Sequence, residues 1–309
     1  MTLNQLRNVV AIAERGSLRS AARYLGVTQP AITRSIRELE HELGVTLFER
    51  HASGMALTAM GQVLVRRASA IQSEVGRVHS ELAQLKGSHT GEIALGLSTA
   101  SHVALLPRVI GPFERRYPEV RLRIAEGLFP ALERDLHDGI TDFYVGPLSG
   151  GSHPPDLVVE PLFDNRRLVF ARKGHRLAGA RSLAELTGAR WVADALTLGQ
   201  GDELARLFAD FGLPAPHVAV IGQTSISTIA TLVGSDLLAT LPQQWLPILA
   251  ASGLVAPLDL AETLPAAPIC LVKRASLPLT PAAEHLADLF RRAAIHHAMT
   301  LPGAPALTA

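Results

Sequence analysis

The sequence predicts an α/β chain with three parts: an N-terminal winged helix-turn-helix, a long linker helix and a body of two α/β subdomains. Three observations predict it. Helically spaced apolar residues punctuated by Gly16, Gly26 and Gly44 fill the first part. An apolar seam runs unbroken from Leu64 to Leu85. From Glu92 onward, short apolar strands alternate with helices.

In the head, Leu3, Leu6, Val10 and Ala13 recur at helical spacing, and Gly16 ends that helix. Ser17 is placed to cap a second helix, Leu18 to Leu25, which Gly26 stops. Thr28 caps a third, with Pro30 in its first turn, where a missing N–H costs nothing. Ile32, Ile36, Leu39 and Leu43 share one face of this third helix. Pro30, Thr33, Arg34, Arg37 and His41 share the other, at about 100° per residue. Guanidinium groups can bond guanine edges bidentately, and Thr33 can meet a base or a thymine methyl. Gln29 lies at the end that helix-turn-helix proteins push deepest into the major groove, and it can bond adenine. A solvated surface helix would look the same. Two short helices joined by Gly26-Val27 inside a basic segment favour the groove reader. Leu47–Arg50 then reads as a strand, His51–Gly54 as a turn and Met55–Thr58 as a returning strand. Together they form a wing suited to a phosphate backbone.

Composition agrees. The chain has 309 residues, more than one compact core usually spans. With 48% hydrophobic and 18% charged residues, it is not a disordered chain. Residues 1–67 hold nine Arg against five Glu, whereas the remainder is slightly acidic, as expected of a polyanion-binding head on another module. The single cysteine, Cys270, excludes an internal disulfide framework and fits a reducing cytoplasm. No apolar run reaches membrane-spanning length, and the N-terminus carries no secretory signal. A cytoplasmic protein without a membrane partner is therefore expected.

Leu64, Ala68, Ile71, Val75, Val78, Leu82 and Leu85 step by four and three in turn, flanked by Arg66, Arg67, Gln72, Glu74, Arg77, Glu81 and Gln84. A narrow seam with polar flanks points to a partner helix rather than to the chain's own core. Lys86–Gly91 reads as a hinge.

In the body, strands are expected at Ile93–Leu97, Val120–Ala125, Asp142–Gly146, 166–172, 190–193, 217–222, 236–241 and Ile269–Lys273. Helices are expected at His102–Tyr117, Ala131–Asp138 and 281–297. Alternation of this kind implies parallel strands with crossover helices, and a ligand at the carboxyl ends of the strands. Ser98-Thr99-Ala100-Ser101 follows the first strand and opens a helix, where hydroxyls and free N–H groups can hold an anion or simply cap. The same topology nominates Phe129 and Pro130, Gly146 and Pro147, then Thr197, Gly199 and Gln200, and finally Thr224 and Ser225.

Catalysis is not expected. Ser98 lacks a Gly-x-Ser-x-Gly elbow, Cys270 sits in an apolar strand, and the His residues lack metal-ligand spacing. His296-His297 read as solvated. No phosphate-cradling glycine loop is present, so neither cofactor nor metal is expected. A transport receptor would suit the body but not the basic head. A purely architectural DNA protein would not need the body.

The run Leu18-Arg-Ser-Ala-Ala, Leu25, Thr28-Gln-Pro-Ala-Ile-Thr, Ile36, Leu39-Glu40, Leu43-Gly44, Leu47-Phe48-Glu49-Arg50, followed by Leu57-Thr58-Ala-Met-Gly61, resembles the head of a LysR-type transcriptional regulator. The resemblance implies groove-facing roles for Gln29, Pro30, Ala31, Thr33, Arg34 and Arg37. It implies backbone-positioning caps at Ser17 and Thr28, and phosphate contacts from Arg50 and the wing. The wing turn departs from the family: His51-Ala-Ser-Gly54 stands where an arginine is common, so the grip would be weaker or pH-dependent through His51. The resemblance further implies a homodimer through the linker helix, pairing again to a homotetramer. It also implies partly palindromic promoter DNA as partner, with RNA polymerase as a further one.

The family's effector domain is periplasmic-binding-protein-like. The chain would then divide into 1–58, 59–89, 90–163 with 268–300, and 164–267, with crossings near Phe163–Arg166 and Leu264–Pro268 and a disordered tail at 301–309. The matching segment at Ser98–Ser101 contacts the effector in the family. Tyr144 replaces a small residue, and would narrow the cleft, stack on a ligand or belong to the core. A loose likeness to the branch controlling aromatic-acid and arylsulfonate breakdown suggests a small, aromatic organic acid as effector.

Overall fold

The computed structural model describes residues 1–51, 54–148, 155–194 and 203–300. The head consists of α1 (Leu3–Arg15), α2 (Leu18–Leu25) and α3 (Gln29–Leu43), then a hairpin of β1 (Phe48–His51) and β2 (Gly54–Leu57). Gly16, Gly26 and Gly44 each end a helix in the left-handed region, where a side chain would be strained. Thr2, Ser17 and Thr28 cap the three helix starts with their hydroxyls. Val9, Ile12, Ala21, Ile32, Ile36 and Leu39 form the core between the helices. Leu3 and Leu43, expected on buried faces, are exposed, because each lies in the terminal turn of its helix, beyond the reach of the next element.

The hairpin is antiparallel, pairing Phe48 with Leu57 and His51 with Gly54. Two ties fix it to the helices. The Glu40 carboxylate accepts the Leu47 and Phe48 amides, at 2.7 and 3.4 Å. The Met55 amide donates to the Gly16 carbonyl at 2.9 Å. That second approach is so close that a Cβ on Gly54 would stand 2.6 Å from the Gly16 oxygen.

The linker helix α4 (Ala59–Leu85) starts under a Thr58 cap. Gly61 lies against the Leu47 carbonyl, where a Cβ would collide. The apolar seam divides. Leu64 packs on the head core and Ala68 is fully buried. Val75 is half-buried, whereas Ile71, Val78, Leu82 and Leu85 are 39, 50, 53 and 70% exposed. Its first turns therefore serve the chain's own head, a use that heptad spacing cannot distinguish from pairing.

The body holds β3 (Thr90–Leu97), α5 (Thr99–Ala104), α6 (Leu106–Arg116), β4 (Glu119–Glu126), α7 (Phe129–His137), β5 (Phe143–Pro147), β6 (Leu157–Arg172), β7 (Arg190–Asp194), α8 (Glu203–Asp210), β8 (His217–Gly222), α9 (Ser225–Val233), β9 (Ala239–Pro242), α10 (Leu246–Ser252), β10 (Val255–Pro257), β11 (Leu264–Arg274) and α11 (Pro281–Thr300). β3 pairs parallel with β4 and β5, and β7 pairs parallel with β8. The long β6 serves two lobes. Its first half pairs antiparallel with β11, and its second half lies between β9 and β10. Between these halves, Phe163–Arg167 pairs with Leu264–Ile269, with register shifts between Ala266 and Cys270. Each lobe is layered on both faces. In the first, α5, α6 and α11 cover one face of the sheet and α7 the other. In the second, Val169 and Ala171 face Trp191 and Phe208, while Phe170 faces Leu232 and Leu249.

Several expectations need correction. The helix read as His102–Tyr117 is two helices, parted at Leu105, because Pro107 has no N–H to give to the carbonyl of Val103 in the turn before it. β6 begins at Leu157, although Pro161 and Asp164-Asn165 read as turn signals. Lys86–Gly91 is not a free hinge. β3 already starts at Thr90, and Gln84 donates to the Thr90 carbonyl while accepting the Ala282 amide. His297 is not solvated: its ring packs edge-on against Phe163, 4.9 Å between centroids. Burial there, with help from Arg108 and His296, holds it below the ordinary histidine pKa.

Arg77, one of the polar flanks of the seam, is largely buried against the body. Its Nε donates to Asp142 Oδ1 at 2.6 Å, a second nitrogen reaches the Gly139 carbonyl, and a third pairs with Glu74 at 2.9 Å. Asp142 Oδ2 accepts the Ala94 amide at 2.8 Å. Arg66 and Arg67 approach Asp138 on the same face. Arg77→Ala leaves the Asp142 carboxylate buried without its counter-charge. It is expected to lower stability by about 3 kcal/mol in urea unfolding of the full chain.

Candidate functional site

Two groups of residues stand out, one on the head and one where the two lobes meet. On α3, Gln29, Pro30, Ala31, Arg34 and Arg37 are exposed in a row, while Ile32, Ile36 and Leu39 anchor the opposite face. The amphipathic spacing thus turns two guanidinium groups and one amide outward from a rigid helix. Thr33 is half-buried, and its hydroxyl donates to the Gln29 carbonyl at 2.8 Å. Its donor is therefore spent inside the helix, leaving its lone pairs and methyl to face outward. Ser17 and Thr28 act as helix caps, accepting the Ser20 and Ala31 amides. In the wing, Arg50 pairs in register with Met55, and the exposed His51 lies 3.6 Å from Glu49. Residues 52 and 53 of the turn lie outside the described residues. Sequence reasoning missed Glu40, which sets the wing against α3. Its i and i+7 spacing to Leu47 gave no hint, because the contact crosses the chain reversal at Gly44.

At the carboxyl ends of β3, β4 and β5, the candidates are less open than their residue types suggested. Ser98 and Ser101 are buried, and their hydroxyls lie 3.0 Å apart. Ser98 Oγ also accepts the Ser101 amide, so this pair caps α5. Ala100 is buried and Thr99 half-buried. Phe129 is buried against Tyr144, Pro130 is exposed, Gly146 is buried beneath the Tyr144 hydroxyl, and Pro147 is half-buried. In the second lobe, the exposed Thr224 caps α9 by accepting the Ser227 amide. Thr197, Gly199 and Gln200 lie outside the described residues. Tyr144 cannot stack on a ligand through its ring face, because the ring is fully buried among Phe129, Leu132 and Cys270.

One further residue joins the lobes. Glu126, the last residue of β4, accepts a 2.9 Å hydrogen bond from the Ser225 hydroxyl at the start of α9. It is an acidic group at the strand ends that the sequence reading did not register. The rule that nominated Phe129 and Gly146 would have found it, had the strand been carried one residue past Ala125. Cys270 is buried within β11, and burial pushes its thiol up, away from a reactive thiolate. Among the described residues, no His, Cys, Asp and Glu cluster could hold a metal ion, and no helix is long and apolar enough to cross a membrane.

Both groups fall within stretches that match known families. Residues 3–62 match the family described as the bacterial regulatory helix-turn-helix protein, lysR family, and residues 86–295 match the LysR substrate binding domain. The chain is 31% identical over 290 residues to the SDS degradation transcriptional activation protein of Pseudomonas sp. (strain ATCC 19151), covering 93% of this chain and 94% of that protein. It is 27% identical over 279 residues to the HTH-type transcriptional regulator TdcA of Escherichia coli (strain K12), covering 90% and 88% respectively. The crystal structure of CbnR, a LysR family transcriptional regulator, superposes with a TM-score of 0.72 at 21% identity, covering 95% of this chain and 99% of that one. The paired head and body therefore carry one conclusion: the chain belongs to the LysR family of bacterial transcriptional regulators.

Proposed function

We propose that the chain is a dimeric reader of a partly palindromic promoter, and that its DNA affinity or bending is set by a small organic acid held between the lobes. The observation that carries the DNA half is the exposed row of Gln29, Arg34 and Arg37 on a helix whose other face is locked into the core. Arg bidentate to guanine and Gln bidentate to adenine are the major-groove pairings these residues can make. Arg50 and His51, on the wing, would lie toward the phosphate backbone and fix register rather than sequence. The open turns of α4 carry the dimer half. Ile71, Val78, Leu82 and Leu85 form an exposed apolar stripe on a helix whose other side is already packed. A homotetramer, through further pairing of the bodies, and contact with RNA polymerase extend the same reading.

For the effector, the exposed Thr224 supplies a hydroxyl at the start of α9, at the carboxyl end of β8. The Pseudomonas relative is named for degradation of SDS, itself an organic anion. The aromatic part of the expectation gains no support, since Tyr144 offers no ring face. Closing or opening of the lobes about β6 and β11 would shift the populations of body conformations and, through α4, the spacing of the two heads.

Arg34→Ala is expected to weaken binding to the cognate promoter by about tenfold or more, and to random duplex much less, in gel-shift titrations. Equal losses on both duplexes would sink the groove assignment. Leu82→Arg should convert the dimer toward monomer in sedimentation velocity without lowering the helical signal, whereas an unchanged mass would remove α4 as the interface. Thermal melts of the full chain against separate panels of organic acids, amines and sugars should show stabilisation by acids. Stabilisation by another class alone would replace the acid, and none from any class would sink the cleft reading.

A further inference from the structure

The strands β3, β4 and β5 end together, and at that end one buried polar atom is left over. Tyr144 is 0% exposed, yet its hydroxyl has no hydrogen-bond partner among the described residues. A buried donor without an acceptor is a costly arrangement unless something else completes it. The ring lies along β5 toward its carboxyl end. A Cβ on Gly146 would collide with the hydroxyl and would stand 2.9 Å from the Ser98 Cβ. A Cβ on Gly96 would stand 3.2 Å from the ring edge. The ring therefore fills a trough that two glycines leave open, Gly146 two residues on in the same strand and Gly96 opposite it in β3. Its other flank meets Phe129, with centroids 5.7 Å apart.

The hydroxyl also meets a helix start. Burial pushes the phenol above its ordinary pKa, while the Phe129 amide pulls it back, so that amide is near without completing a hydrogen bond. Phe129 is the first residue of α7, a nine-residue helix whose N-cap, Leu128, makes no side-chain bond. Pro130 carries no N–H and the Ala131 amide is held by the Leu128 carbonyl, so the Tyr144 O–H and the Phe129 amide are the two donors that converge there. The carboxylate nearest along the chain, Glu126, is engaged elsewhere, with Ser225 of the other lobe. Release of that bond would free the strand end beside Tyr144.

We infer that Tyr144 sets effector specificity on the first-lobe side: its hydroxyl donates to the carboxylate of a compact organic acid seated at the start of α7, and its ring occupies the volume that a larger, aromatic acid would need. The inference rests on the effector reading above and narrows it. A core tyrosine with no such role would leave ligand affinity and ligand size preference untouched when its hydroxyl or ring is removed, which gives the test its readout.

The full chain and its Tyr144→Phe and Tyr144→Ala variants are to be titrated with propionate and benzoate, with propionamide and benzamide as neutral controls. Wild type is expected to bind propionate in preference to benzoate and to ignore both amides. Tyr144→Phe should keep or slightly raise the ligand-free melting temperature while losing about tenfold in propionate affinity, the loss of one charge-assisted hydrogen bond. Tyr144→Ala should gain benzoate. Equal propionate affinity in wild type and Tyr144→Phe overturns the inference, as does a wild type that prefers benzoate. Either result would leave the organic-acid reading intact, since an acid would still bind. If no acid binds any of the three proteins, the acid itself is excluded and this inference falls with it. The cleft then stands or falls on the amine and sugar panels. If Tyr144→Ala fails to fold, the conservative Phe variant still decides.

Discussion

The Arg77–Asp142 ion pair is where the linker helix, β3 and β5 meet, and the relation of the head to the body turns on it. Asp142 immediately precedes β5, whose far end is Gly146-Pro147. One of its carboxylate oxygens holds α4 through Arg77 and the other holds β3 through the Ala94 amide. Five residues of extended strand therefore separate the linker helix from the strand ends where a ligand would sit. An ion pair in this position owes its value to geometry more than to net energy, because desolvation offsets much of the attraction. What it provides is direction. The guanidinium is planar and reaches Asp142 and Gly139 of the body together, braced by Glu74 of its own helix, so α4 cannot roll without breaking both bonds to the body.

Much of the head was legible because its signals are local. Glycines at three helix ends, hydroxyls at three helix starts and one amphipathic period specify the helices without help from the rest of the chain. The linker was legible as a helix but only half legible in purpose, since the same seam serves the head core at Leu64 and Ala68 and is open from Ile71 onward. In the body, the alternation of strands and helices was readable. The first half of β6 was not, because Pro161 and Asp164-Asn165 interrupt its apolar run and its pairing partner lies about a hundred residues away in β11. The role of Arg77 was not legible for the same reason: it reads only as a polar flank of the seam, and its partner Asp142 is tertiary.

The candidate effector residues show how one residue pattern can carry two meanings. Ser98-x-x-Ser101 opens α5 and Thr224-x-x-Ser227 opens α9, with the first hydroxyl of each taking the amide three residues on. Each pair also brings its two hydroxyls within 3.0 Å of one another. These are capping signatures in both lobes, and at Ser98 and Ser101 the hydroxyls are buried and engaged with one another and with the Ser101 amide. Topology nominated an end of the strands, but the hydroxyls it nominated there are taken up in helix caps. The groups left with spare capacity there are Tyr144, which composition alone would send to the core, and Glu126, which lies one residue past the expected end of its strand.

Gln84 has a consequence for how the body can be studied. From the end of α4, its amide nitrogen binds the carbonyl of Thr90, the first residue of β3, and its amide oxygen takes the amide of Ala282 at the start of α11. One side chain thus ties together the beginning and the end of the body. A fragment cut at residue 90 would lose that tie and leave Asp138 and Asp142 facing water without their arginines. It would also leave one of the first amides of α11 without its acceptor. Such a fragment would be a differently charged and looser object than the same residues in the whole chain, so ligand affinities measured on it would not transfer to the intact regulator.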